Sequence, residues 1–250
     1  MTPIYLDNHA TTPCDPAVLD AMLPFFRDKF GNAGSRSHAR GYTARAATEH
    51  ARLQLALHLK VSPKELVFTS GATEANNLAI LGTLRANRHR GNHIITVATE
   101  HKCVREAVAA AAREGFSTTV LPVQASGQID LSQLREAITS RTVLVSIMWA
   151  NNEIGVLQPL AEIVELCHEH GVWVHSDAAQ ALSTLPLDLQ SVPVDLMSLS
   201  AHKAYGPMGI GALFVRRTRP AIRIEPLQYG GGQERGLRSG TLPVLSLIHI

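Results

Sequence analysis

Cysteine is scarce. Only Cys14, Cys103 and Cys167 occur in 250 residues, far apart and without CxxC spacing. A disulfide framework or a cysteine-held zinc site is therefore excluded, and reduced thiols in a cytoplasm are the expectation. Excess charge is missing too: the formal net charge is +2 and the basic residues are scattered. The densest cluster, Arg216, Arg217 and Arg219, is short and has no interleaved aromatics. It reads as a solvated strand end, so no nucleic-acid partner is expected. No apolar run approaches the ~20 residues that span a bilayer, so no membrane partner is expected either. The stretch Met1-Thr2-Pro3-Ile4-Tyr5-Leu6-Asp7 has neither a basic n-region nor an apolar core, and no signal peptide is expected. Histidine is plentiful, with twelve, but HExxH is absent. His89 and His93 flank a Gly91-Asn92 turn instead of sharing a helix face. No metal is expected.

What remains is ordinary for a folded protein: 45% hydrophobic and 18% charged residues, in a chain long enough for a large core. Short β-branched runs at 66–69, 93–98, 118–123, 142–149, 172–175, 196–199 and 212–215 alternate with helix-like stretches at 37–59, 73–87, 102–113, 131–139 and 160–170. Gly115 and Gly171 stand where a helix C-terminus requires glycine. Such alternation implies an α/β fold, a mainly parallel sheet sandwiched by helices. The unbroken apolar run Val143-Leu144-Val145-Ser146-Ile147-Met148 agrees, because parallel strands are buried on both faces. Ligands of open α/β sheets bind beyond the carboxyl ends of the strands.

Three constellations fall on that edge. In Thr69-Ser70-Gly71-Ala72-Thr73-Glu74-Ala75-Asn76-Asn77, small residues open a helix whose N-terminus could take a phosphate, although many βα loops look alike. In Val172-Trp173-Val174-His175-Ser176-Asp177-Ala178-Ala179-Gln180, Asp177 follows an apolar strand. It suits either a helix N-cap or a carboxylate paired with a protonated pyridine nitrogen; taken alone, the cap is the better fit. In Ser198-Leu199-Ser200-Ala201-His202-Lys203-Ala204-Tyr205-Gly206-Pro207, Lys203 follows a buried strand. It is either a solvated loop lysine or an amine made less basic by burial, as a Schiff base needs. Jointly, a phosphate cradle, a strand-end carboxylate and a lysine form the set that pyridoxal 5'-phosphate (PLP) requires.

These segments, with Tyr5 to Pro13, Glu100-His101-Lys102, Asn151-Asn152-Glu153-Ile154-Gly155 and Gly230 to Thr241, resemble the cysteine desulfurases, most closely the branch serving iron–sulfur clusters. The resemblance runs to about Val244. It implies the fold-type I PLP-dependent transferase architecture. Lys203 would hold PLP as a Schiff base and move the substrate's Cα proton. His101 would stack on the ring and help in proton transfer. Asp177 would meet the ring nitrogen and Gln180 the phenolic oxygen. Gly71, Ala72, Thr73, Ser200 and His202 would bind phosphate, and Asn152 would lie near ring and substrate carboxylate. Thr241 would reach the phosphate of a neighbouring subunit, which implies a homodimer. The implied reaction takes L-cysteine to L-alanine and leaves sulfur as an enzyme persulfide, for a sulfur-acceptor or iron–sulfur scaffold protein.

The family's nucleophilic cysteine lies after the Thr241 motif, and none of the three cysteines matches it. Cys103, at the start of a helix, is expected to be packing, and Cys167 core. Leu245-Ser246-Leu247-Ile248-His249-Ile250 is what CTG-TCT-CTT-ATA-CAC-ATC encodes, a transposon end used in sequencing libraries. The expectation is therefore a PLP-binding large domain at 15–244 and a non-native tail at 245–250, with the small C-terminal domain missing and turnover lost. Residues 1–14 are expected to pack with that small domain. Other fold-type I PLP enzymes, such as a selenocysteine lyase or an aminotransferase, are the alternatives, as is a catalytically silent scaffold.

Overall fold

The computed structural model describes residues 3–217, 219 and 221–247. The elements in chain order are α1 (Pro16–Arg27), α2 (Ala39–Leu59), β1 (Leu66–Thr69) and α3 (Ala72–Asn77), which runs through a wide π turn (Leu78–Gly82) into α4 (Thr83–Ala86). There follow β2 (His93–Val97), α5 (Lys102–Arg113), β3 (Ser117–Leu121), α6 (Leu131–Ala137), β4 (Thr142–Ser146), α7 (Leu160–Glu169), β5 (Trp173–Asp177), β6 (Leu196–Ser200), β7 (Gly211–Val215) and α8 (Val244–Leu247). Every strand expected from the sequence forms. Helix α1 was not expected; Asp15 caps it by accepting the Ala17 N–H at 2.8 Å, and Pro16 opens its first turn. The Leu245–Ile250 tail lies partly outside the described residues, while Leu245 to Leu247 belong to α8.

The seven strands form one sheet in the order β1-β7-β6-β5-β4-β2-β3. All neighbouring pairs are parallel except those of β7, which runs antiparallel to both β1 and β6. Alternation sorts the side chains into two cores. Phe68, Val145, Val174, Met197 and Phe214 meet α2 and α7 on one face; Val67, Leu144, Trp173, Leu196 and Leu213 meet the α3–α4 run and α5 on the other. Burial of both faces explains the near-continuous apolar strands. Among the described residues, no helix is long and apolar enough to cross a membrane.

Polar ladders lock neighbouring strands in register. His175 of β5 is fully buried and bonds Ser146 of β4 at 2.8 Å and Ser198 of β6 at 3.0 Å through its two ring nitrogens. Burial pushes its pKa down to about 3. His93 of β2 spans Thr142 and Thr119 in the same way, at 2.8 and 2.9 Å. The basic cluster after β7 is not simply solvated. Arg216 is partly buried and donates to the carbonyls of Val194 and Leu189, both at 2.7 Å, because loop carbonyls beside the strand end need donors.

Candidate active site

Helix α3 starts immediately beyond β1, and α5 starts shortly after β2. Gly71 turns the chain into α3 with φ of +147°, a conformation that favours glycine. A Cβ placed there would meet nothing within 4 Å, so the turn faces open space. Its other side is closed by β7: a Cβ on Gly211 would stand 2.7 Å from Gly71 Cα and 2.4 Å from the Leu199 carbonyl oxygen. Glycine at 211 is what allows this approach. The turn is braced by Glu74, which accepts the Ser70 N–H at 2.7 Å and the Arg238 Nε–H at 2.8 Å.

The open space is a cavity of about 670 Å³ on the carboxyl edge of the sheet. It brings together Gly71, Ala72, Thr73, His101, Asn152, Asp177, Gln180, Ser200, His202 and Lys203, ten of the residues singled out in the sequence. Thr241 is exposed and does not line it. The resemblance directs Thr241 to the phosphate of a neighbouring subunit, not to this cavity.

Asp177 ends β5 and is buried. It caps a turn rather than a helix, taking the Ala179 N–H at 3.0 Å on Oδ1. Oδ2 takes the Asn76 amide at 2.7 Å. Burial raises its pKa, and these two donors, with His101 and Lys203, only partly offset that. A buried carboxylate at this cost calls for a cation. Lys203 lies across the cavity, after β6. Burial depresses its pKa, with the carboxylates of Asp177 and Asp7 acting in the other direction. In this arrangement its ammonium donates to the His9 carbonyl. Gln180 donates to the same carbonyl at 2.9 Å.

The segment before α1 is thus part of the site, a role the sequence reading did not give it. Thr12 donates its N–H and its hydroxyl to the His202 carbonyl, both at 2.9 Å, and its hydroxyl oxygen accepts the Tyr205 N–H at 2.8 Å. Tyr205, at φ of +60°, is held in a strained turn by that contact. His202 has its pKa lowered by burial first and by the Lys203 charge second.

Several site residues escaped the sequence reading. Glu100 is buried and accepts the Met148 N–H at 2.6 Å; burial pushes its pKa well above the usual carboxylate range. Cys103 packs against the α3–α5 core as expected, but it also lines the cavity, 2.9 Å from His101 Nδ1. His101 caps α5 by accepting the Cys103 N–H at 3.2 Å, and that cap brings the Cys103 side chain beside the ring. Cys167 is core as expected, its thiol pushed up to about 12 by burial.

The residues present fit PLP. A glycine turn with open space beside it, the hydroxyls of Thr73 and Ser200 and the imidazole of His202 suit a phosphate. A buried carboxylate suits a ring nitrogen, and a lysine of reduced basicity suits an aldehyde. The Asn76 Oδ1, buried without a partner next to Asp177, shows how incompletely the site satisfies its own polar groups.

The class-V aminotransferase model matches residues 4–249. The mitochondrial cysteine desulfurase of Drosophila melanogaster is 57% identical over 96% of this chain and 52% of its own length. The cysteine desulfurase IscS of Rickettsia rickettsii (strain Iowa) is 55% identical, again over 96% of this chain and 58% of its own. The chain spans about half the length of the curated relatives it matches. Among solved structures, a NifS-like protein superposes with a TM-score of 0.95 at 40% identity, covering 99% of this chain and 68% of the other. A structure described as SspA in complex with cysteine superposes with a TM-score of 0.93 at 41% identity, over 99% and 71%.

Proposed function

This chain belongs to the class-V aminotransferase family, among the cysteine desulfurases, and from that premise we propose that its cavity binds PLP on Lys203 and acts on L-cysteine. The observation that carries the reading is the pairing of a buried Asp177 with a Lys203 of reduced basicity in one cavity, beside the Gly71 turn. When bound, PLP would withdraw electron density from the substrate's Cα. Asp177 would keep the ring nitrogen protonated. Gln180 would release His9 and donate to the phenolic oxygen. Thr73, Ser200, His202 and the backbone of Gly71 and Ala72 would hold the phosphate.

Lys203 Nζ, less basic than a free lysine, would take the proton from the substrate's Cα and return it. Asn152 would orient the substrate carboxylate, and His101 would stack against the ring and help in proton transfer. The balance of the proposed reaction needs no oxidant: L-cysteine and a thiol give L-alanine and a persulfide. That thiol is not assigned among the three cysteines. Cys167 is core, burial raises the Cys103 pKa and so disfavours its thiolate, and Cys14 does not line the cavity. A homodimer in which Thr241 reaches the second subunit's phosphate, and a sulfur-acceptor or iron–sulfur scaffold protein as partner, complete the proposal. The names of the relatives, cysteine desulfurases, support the reading of L-cysteine as substrate.

The test is isotope exchange. The full chain with PLP is incubated with L-cysteine or L-alanine in D2O, and the Cα proton is followed by NMR. Exchange that disappears in Lys203→Ala supports the reading. Absence of exchange in the unaltered chain overturns it. The readout needs no acceptor thiol.

A further inference from the structure

Four groups on the α3–α5 side of the cavity form a chain of hydrogen bonds. Asn76, fully buried on α3, gives one amide hydrogen to Asp177 Oδ2 at 2.7 Å and lies 3.1 Å from Cys103 Sγ with the same nitrogen. A primary amide has two hydrogens, one for each acceptor, and turning it over would place Oδ1 against the carboxylate. Cys103 Sγ, accepting from Asn76, stands 2.9 Å from His101 Nδ1. The Cys103 backbone N–H points to the same ring nitrogen at 3.2 Å. Nδ1 therefore accepts the Cys103 backbone N–H, and in the tautomer this requires the S–H donates to it as well. A ring nitrogen that accepts carries no proton, so the proton of the neutral ring sits on Nε2.

We infer that Cys103 is a positioning residue that holds His101 in its Nε2–H tautomer, so that the ring meets the cavity as a hydrogen-bond donor. For a substrate such as L-cysteine, that N–H is offered to sulfur or carboxylate. Loading a proton on Nδ1 requires the thiol to turn its hydrogen away and the α5 cap to open. Holding the Nε2–H tautomer needs the thiol form, and the site favours it: burial first, and the Asp177 charge second, raise the Cys103 pKa. The inference rests on the proposed function for its meaning but not for its test.

The test is a long-range 15N–1H correlation spectrum of the full chain, labelled in histidine, at about pH 8, above the usual histidine range. It is recorded before PLP is added, with His101→Gln used only to assign the signals. Protonated and unprotonated ring nitrogens separate widely in such spectra. The unaltered chain is expected to show Nε2–H, and Cys103→Ser, which keeps a donor, the same. In Cys103→Ala the ratio of Nδ1–H to Nε2–H rises about three- to fivefold, as loss of one modest hydrogen bond implies. A wild-type ring protonated on Nδ1, an unchanged ratio in Cys103→Ala, or Cys103→Ser following the alanine variant overturns the inference. The wild-type spectrum decides even if a variant fails to fold. A chain that binds PLP on Lys203 but fails here refutes only the tautomer; the reverse outcome refutes only the function.

Discussion

Glu234 closes the outer edge of the sheet with Arg52. Its carboxylate takes two guanidinium hydrogen bonds from Arg52, at 2.7 and 2.9 Å, and the Phe68 N–H of β1 at 2.6 Å. Arg52 and Arg235 both donate to the Leu66 carbonyl, at 2.9 and 2.8 Å. The edge strand thus has its ladder groups satisfied by side chains, which blocks pairing with another chain. To reach that position Glu234 adopts a φ of +46° and Arg235 of +60°.

Removing one member of this buried pair leaves the other charge uncompensated. Glu234→Ala is expected to cost about 3–5 kcal/mol in urea unfolding. The double variant Arg52→Ala/Glu234→Ala is expected to lose clearly less than the sum of the two single losses. Strict additivity would contradict the pairing.

Acid sensitivity should follow His175. Its folded pKa of about 3 lies below the ordinary histidine value of 6.5, so the unfolded chain takes up the proton first. The stability contributed by the neutral ring is complete above about pH 6.5 and is lost as pH falls toward 3. Glu100 and Asp177, whose pKa values are raised, have the opposite slope: what they contribute is lost as pH rises above the usual carboxylate range. The difference between the unaltered chain and His175→Asn isolates the histidine. That difference in unfolding free energy should shrink by about 1.4 kcal/mol per pH unit as pH falls below 6. A difference independent of pH would contradict the assignment.

Asp177→Asn should separate stability from binding. The substitution removes a charge that burial disfavours, so the chain without cofactor should be as stable as before or more so. Affinity for PLP should fall at least about tenfold, the loss of one charge-assisted contact to the ring nitrogen. Calorimetric unfolding and a PLP titration check the two halves.

Gly211→Ala should damage the phosphate turn from a neighbouring strand. Its Cβ would collide with backbone on both sides, and the expected cost is about 1–3 kcal/mol together with weaker PLP binding. Gly232→Ala, where φ is −83° and a Cβ meets no atom within 4 Å, is a control for glycine loss away from the cavity.

The chemistry of the site was legible in the sequence because its parts are local. The Gly71 turn, the Asp177 strand end and Lys203 each sit where one apolar strand stops, and the period of each strand could be read from its own residues. The antiparallel seating of β7 between β1 and β6 was not legible, because it is set by pairing across the chain from 66 to 215. Helix α1 was hidden by Pro16 and Pro24, although Asp15-Pro16 is a cap followed by a first-turn proline and could have been read as a start. The roles of His9 and Cys103 were missed for different reasons. His9 acts through its carbonyl, which every residue has. Cys103 reaches the cavity only because the His101 cap brings its side chain beside the ring. Arg216 was read as solvated because the loop carbonyls it serves are distant in sequence.

The most direct measurement is to add PLP to the purified full chain, reduce with borohydride and locate the added mass by peptide sequencing in the mass spectrometer. The account predicts one stoichiometric label on Lys203, formed with the absorption change of a lysine-bound PLP, and neither signal in Lys203→Ala. Labels spread over surface lysines, or a Lys203→Ala chain that still acquires the specific label and spectrum, would contradict it.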